Sequence, residues 1–277
     1  MKEIACQFGE KDRLFGVVTI PRKARRPGPA LVLVSAGLTA KSGPYRLYTE
    51  IARELAGSGF VVLRFDLGGI GNSQVARPDQ PLQVRTEQDI RDALGYLEAN
   101  HDVHEFVVGG LCSGAEDAFR YAEKDARIQG VMLVDPHTFD TAYWRLRGIL
   151  SRYTLDRIVY RFLRAIRAIT VIEDSKNRSN IEGFEGSLIN YHYMDKGEAT
   201  KILSALVNRN TRIHYIYTGG SIDTFHHKDQ FRAMFPGVKL NGRLVVDFLP
   251  HVEHVQIFDE DRRALIDTVV RRFSAMY

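Results

Sequence analysis

Residues 105–116 read Glu105-Phe106-Val107-Val108-Gly109-Gly110-Leu111-Cys112-Ser113-Gly114-Ala115-Glu116, and the fold turns on how they are read. An apolar β run, Phe106-Val107-Val108, meets a glycine-rich turn, and a helix-forming stretch from Ala115 to Glu123 follows at once. Gly110 and Gly114 flank Cys112 at minus two and plus two. That is the spacing of a nucleophile elbow, a strained strand-turn-helix that exposes its central residue. The flanking residues must be small, or their side chains would collide with strand and helix. A thiol placed there sits at a helix N-terminus, where the dipole favours a thiolate. With Ser113 at the centre instead, Leu111 and Ala115 would take the crowded positions, and Leu111 is too large. The competing reading is a buried, inert cysteine in a strand-to-helix turn.

The 277 residues suit one large α/β domain with an insertion. Cys6 and Cys112 make neither a disulfide framework nor a zinc ligand set. A free reactive thiol points to a reducing compartment, so a cytoplasmic location is expected. The first residues, Met1-Lys2-Glu3-Ile4-Ala5, lack the apolar region of a signal peptide. No apolar run approaches the ~18 residues that span a bilayer. The net charge of +4 is mild.

Outward from the elbow, buried strands alternate with helices. Residues 2–20 alternate apolar and polar about a turn at Gly9-Glu10-Lys11-Asp12, as an antiparallel hairpin does. Ala30-Leu31-Val32-Leu33-Val34 and Phe60 to Phe65 are continuously apolar or nearly so, as strands covered on both faces are. Helices are expected from Tyr45 to Ala56 and from Thr86 to Asn100. After the elbow, Val131 to Val134 forms a strand ending at Asp135-Pro136. Ile213 to Tyr217 and Arg243 to Phe248 form the last two strands, with a helix from His227 to Phe235 between them. A final helix runs from Asp259 to Met276. This alternation predicts a mostly parallel sheet wound on both faces. The fragment Gly69-Ile70-Gly71 lacks the third glycine and the immediate helix of a dinucleotide site.

Residues 138–209 break the rhythm. Their first part is helical, aromatic and basic, including Tyr143, Trp144, Arg145, Arg147, Arg152, Arg157, Arg161, Arg164 and Arg167. Residues 172–197 are polar. The expectation is a helical cap inserted into a core made of 1–137 and 210–277, with aromatic groups near the pocket. The arginines read either as a solvated helix face or as a surface for an anionic partner. No nucleic-acid module is recognisable.

A thiol nucleophile needs a base, and the base needs an orienting acid. Asp223 lies just past a late strand and His254 in the loop after the last strand, so the order is nucleophile, acid, histidine. Asp135 is the rival acid, and Asp223 is equally readable as a helix cap. His251 is the rival base. His226 and His227 follow Asp223 too closely to serve it.

Four stretches together resemble the α/β-hydrolase superfamily: Ser35 to Lys41, Phe65 to Ser73, Gly110 to Ala115 and the His254 loop. Within it the chain is similar to the serine-aminopeptidase-like branch. It is most like the cysteine-nucleophile hydrolases found with exosortase and exopolysaccharide systems. The resemblance implies an α/β-hydrolase fold with a helical cap insertion. It implies a Cys112, Asp223, His254 triad acting on an ester or thioester, and an oxyanion hole from the backbone N–H groups of Leu38 and Ser113. No cofactor or metal is implied. Asp66 to Ser73 is similar to the family's D-x-x-G-x-G-x-S turn, a structural element. The usual His-Gly after the third strand is Ala36-Gly37 here. The expected partners are a small-molecule or carrier-linked acyl substrate and an anionic group at the basic cap. A homodimer is an allowed assembly. Transfer of the acyl group, lyase chemistry or a catalytically silent ligand-binding role are the alternatives.

Overall fold

The computed structural model describes residues 1–22, 25–139, 141, 193–219, 225, 227–240, 242–254 and 256–277. The hairpin at the start is β1 (Lys2–Phe8) and β2 (Leu14–Ile20), paired from Lys2 opposite Ile20 to Phe8 opposite Leu14. Then come β3 (Ala30–Val34), α1 (Leu47–Gly57), β4 (Val62–Phe65), α2 (Leu82–His101), β5 (Phe106–Leu111), α3 (Ser113–Ala122) and β6 (Ile128–Val134). The remainder is α4 (Lys196–Asn208), β7 (Arg212–Thr218), α5 (Gln230–Met234), β8 (Leu244–Leu249) and α6 (Asp259–Met276).

The strands form one sheet in the order β1-β2-β4-β3-β5-β6-β7-β8. β2 runs antiparallel to β1 and to β4, and every other pair is parallel. From β3 the chain goes first to β4 on one side and then to β5 on the other. That reversal opens a crevice at the carboxyl ends of β3 and β5, where ligands of open α/β sheets bind. Cys112 follows β5 there.

Alternation along the strands divides the core. Val32 and Val34 face one cluster with Ile90 and Leu94 of α2, Phe119 of α3 and Leu203 and Leu206 of α4. Leu31 and Leu33 face the other, with Ile51 and Leu55 of α1 and Leu265, Ile266 and Phe273 of α6. Helices therefore cover both faces, as the apolar strands require.

The first helix starts later than its pattern predicts. Pro44 to Arg46 form a separate 3-10 turn in which Tyr45 and Arg46 have φ of 45° and 67°, and the α-helix begins at Leu47. Of residues 138–209, the last part is α4. It is capped by Asp195, which accepts from the Glu198 N–H at 2.9 Å, and it is packed into the core through Ala199, Ile202, Leu203 and Leu206. It is the crossover that the parallel pair β6 and β7 needs. Residues 140 and 142–192, on which the cap expectation rests, lie outside the described residues.

Candidate functional site

The elbow is built as its glycines require. Cys112 has φ 53° and ψ −123° and caps α3, while Leu111 before it is buried and Cys112 itself is exposed. A Cβ on Gly110 would stand 2.8 Å from the Val34 carbonyl oxygen and from the Gly114 backbone. One on Gly114 would stand 2.5 Å from the Val34 oxygen and 2.8 Å from the Ser35 oxygen. All of these are backbone atoms that cannot turn aside. The turn is held further by the Cys112 N–H donating to the Val134 carbonyl at the end of β6, at 2.9 Å. Beneath it, the buried Tyr48 hydroxyl donates to the Val34 carbonyl at 3.0 Å and accepts from the Leu111 N–H at 2.8 Å, tying β3 to β5.

Ser113 has a different task. Its Oγ accepts a hydrogen bond from the Gly37 N–H at 2.8 Å. The elbow is thereby fastened to the Ala36-Gly37-Leu38 turn, which is closed by the Thr39 N–H donating to the Ala36 carbonyl at 2.8 Å. The two residues expected to supply an oxyanion hole, Leu38 and Ser113, thus belong to segments joined by one short bond. Sequence reasoning missed this side-chain role, because it treated Ser113 as a backbone donor alone.

His254 is half-buried, and its Nδ1 lies 2.8 Å from Oδ2 of Asp135. The buried Asp135 follows β6, and Thr218 at the end of the neighbouring strand β7 donates to both of its carboxylate oxygens. The carboxylate behind the imidazole is thus the rival acid of the sequence reading. Asp223 lies outside the described residues. Asp135 reaches the histidine loop because β6 and β7 end side by side and its φ of 44° turns its side chain along that edge. The imidazole is pushed up to about 10, first by the Asp135 hydrogen bond and then by one with Cys112. His254 thus lies against the Asp135 carboxylate, with Cys112 adding to the rise. His251, the rival base, is exposed.

The histidine loop is held by its own side chains. The buried Gln256 amide donates to the His254 carbonyl and, at 3.0 Å, to the Glu253 carbonyl. The Asp261 carboxylate accepts from the Glu253 N–H at 3.1 Å. The Asp66 turn is structural, as expected. The Asp66 carboxylate accepts from the Lys41 N–H, the Lys41 Nζ and the Asn72 N–H, and a Cβ on Gly71 would meet it. Ser73 Oγ donates to the Asp66 carbonyl at 2.7 Å and accepts from the Phe15 N–H at 2.8 Å. Among the described residues no cluster of His, Cys, Asp and Glu is arranged to hold a metal, and no helix is long and apolar enough to cross a membrane.

Residues 27–188 match the model of the family described as serine aminopeptidase, S33. No curated protein matches the sequence. Solved structures share the fold across nearly all of the chain. The α/β hydrolase GrgF from Penicillium sp. sh18 has a TM-score of 0.62 at 15% identity, covering 99% of this chain and 100% of its own. Est1E from Butyrivibrio proteoclasticus has 0.59 at 11%, covering 98% of each. An α/β serine hydrolase homologue from Coxiella burnetii has 0.58 at 14%, covering 98% of this chain and 96% of that one.

Proposed function

This chain belongs to the S33 serine aminopeptidase family of α/β hydrolases, and from that premise we propose that it cleaves an ester or thioester through Cys112, His254 and Asp135. The observation that carries the reading is the imidazole of His254, whose Nδ1 meets the buried Asp135 carboxylate at 2.8 Å while Cys112 at the elbow adds to the rise of its pKa. In that arrangement His254 can take the thiol proton of Cys112.

In the first step the Cys112 thiolate attacks the carbonyl carbon, and the C=O electron pair moves onto oxygen. The backbone N–H groups of Leu38 and Ser113 receive the oxyanion. Collapse breaks the bond to the leaving alcohol or thiol, which takes its proton from the His254 imidazolium. The acyl group remains on sulfur as a thioester. Neutral His254 then takes a proton from water as its oxygen attacks that thioester. Collapse releases the acid and restores the thiolate beside the imidazolium. Asp135 stays ionised and holds the tautomer.

The cysteine also supports a second reading, acyl transfer. An acyl-thioenzyme stays activated toward an amine or alcohol acceptor, which an acyl-serine does less well. Cysteine at the elbow is likewise what favours the exosortase-associated cysteine branch of the family over its serine members. Of the expected cap, residues 138–209, the part before α4, with its arginines, is proposed to select the acyl substrate.

The test is mass spectrometry after brief exposure to activated esters and thioesters. An acyl adduct on Cys112, absent in Cys112→Ala and cleared by water, is expected. Clearance only with an added acceptor would favour transfer. An adduct on Ser113, or none anywhere, would sink the cysteine mechanism.

A further inference from the structure

The end of β7 grips both halves of the acid-histidine pair. Thr218, fully buried, donates its N–H to Asp135 Oδ1 at 2.7 Å and its Oγ1 hydroxyl to Asp135 Oδ2 at 2.5 Å. The Asp135 N–H in turn donates to the Ile216 carbonyl at 2.8 Å. The next residue, Gly219, donates its N–H to the Val252 carbonyl at 2.8 Å, two residues before His254. A Cβ on Gly219 would stand 2.1 Å from the Pro250 oxygen, so the histidine loop lies against bare backbone there.

We propose that Thr218 and Gly219 form a clasp that sets the position of Asp135 against His254, with Thr218 as a positioning residue for the reaction. The inference rests on the Cys112, His254, Asp135 reading. Asp135 Oδ2 carries two bonds at once, from Thr218 Oγ1 and from His254 Nδ1. Oδ1 is fixed by the Thr218 backbone. The carboxylate therefore cannot rotate about its Cβ–Cγ bond without losing a bond, and one orientation is selected for the imidazole. An acid at the end of β7 would need no such clasp. An acid at the end of β6 has to be aimed across the strand gap, and the last residue of β7 is where the aiming group must stand. Small displacements matter at this point, because misplacement by about 1 Å is enough to cost roughly 100-fold in rate.

The experiment compares wild type, Thr218→Val and Thr218→Ser. Valine keeps the shape and the N–H and removes the hydroxyl, while serine keeps the hydroxyl. In Thr218→Val, kcat on an activated ester is expected to fall by roughly ten- to a hundredfold with KM little changed. Iodoacetamide alkylation of Cys112 at neutral pH should slow. Thr218→Ser should restore both. Folding is checked by circular dichroism, so that a collapsed variant is recognised; the serine variant then carries the comparison. Equal kcat and alkylation rates in folded valine and wild-type proteins would overturn the clasp. Slow alkylation of Cys112 in the wild type itself would instead overturn the triad reading beneath it.

Discussion

His254 lies against the Asp135 carboxylate, and its proton has a defined pH window. Its ordinary value of 6.5 is raised to about 10, chiefly by Asp135 and then by Cys112. A raised value in the folded state means the folded protein holds the proton more tightly than the unfolded chain. The stability contributed is complete below about 6.5 and is lost as pH rises through about 10. In the proposed mechanism the leaving group takes that same proton in acylation. The kcat/KM profile should therefore fall on the alkaline side near pH 10, and His254→Ala should remove the limb together with the activity. A fall centred near pH 7 would disagree. His137 behaves oppositely. It is buried in an aromatic box of Phe119, Phe139, Tyr215 and Phe235, and its Nδ1 has no hydrogen-bond partner among the described residues. Burial, with Arg120 nearby, lowers it to about 3. The unfolded chain then gains the proton first, so stability is lost as pH falls below about 6.5. His137→Phe removes a buried unsatisfied polar atom and should flatten the acid side of a plot of thermal midpoint against pH. A steeper acid side in the variant would contradict this.

At the scale of elements, the elbow was legible because its physics is local. Two glycines at fixed offsets, a strand before and a helix after are all within twelve residues, and the structure returns the contacts they imply. Gly114→Ala would drive a Cβ against the Val34 and Ser35 carbonyls. It should cost about 1–3 kcal/mol in chemical denaturation and most of the activity. The bond from Gly37 to Ser113 was not legible, because it joins residues 76 apart in sequence. Ser113→Ala frees the turn that carries Leu38 and should lower kcat while leaving alkylation of Cys112 intact. Were Ser113→Ala fully active, the fastening would be dispensable. The carboxylate beside His254 was legible only as a choice between two strand ends. Nothing local marks Asp135 as the partner of His254, since that contact joins residues 119 apart in sequence. The core helix α4 was hidden for another reason. Its apolar positions, Ala199, Ile202, Leu203 and Leu206, keep helical spacing but follow a long polar stretch that masks them.

Across the whole molecule, the parallel sheet could be read from its strands, and its order follows from crossovers that the apolar runs require. What closes the far edge is less visible from sequence. There a charged group spans three elements. Asp247 on β8 accepts from His214 Nε2 on β7 at 2.9 Å and from both Arg272 Nε and an Arg272 terminal nitrogen on α6, each at 2.8 Å. His214 and Asp247 are buried, and Arg272 is partly exposed. Burial opposes the Asp247 charge, but the histidine and the arginine together hold its carboxyl well below the usual carboxylate range. A depressed acid contributes stability that is present above the ordinary value of 3.8 and is lost as pH falls toward the folded value. This edge matters to the site because β7 carries Thr218 and the chain leaving β8 carries His254. Asp247→Ala leaves the buried imidazole of His214 and the Arg272 guanidinium without their shared acceptor. Breaking such a group from one side costs about 3–5 kcal/mol in buried pairs, and the exposure of Arg272 puts the expectation at the low end, about 3 kcal/mol. The loss should appear in denaturant unfolding as a lower midpoint with unchanged slope. Alkylation of Cys112 in the folded variant should keep its wild-type rate, because no hydrogen bond or ion pair of this group reaches Cys112, His254 or Asp135. A variant as stable as wild type would show that solvent replaces the carboxylate at no cost, and that the edge is held by apolar packing alone.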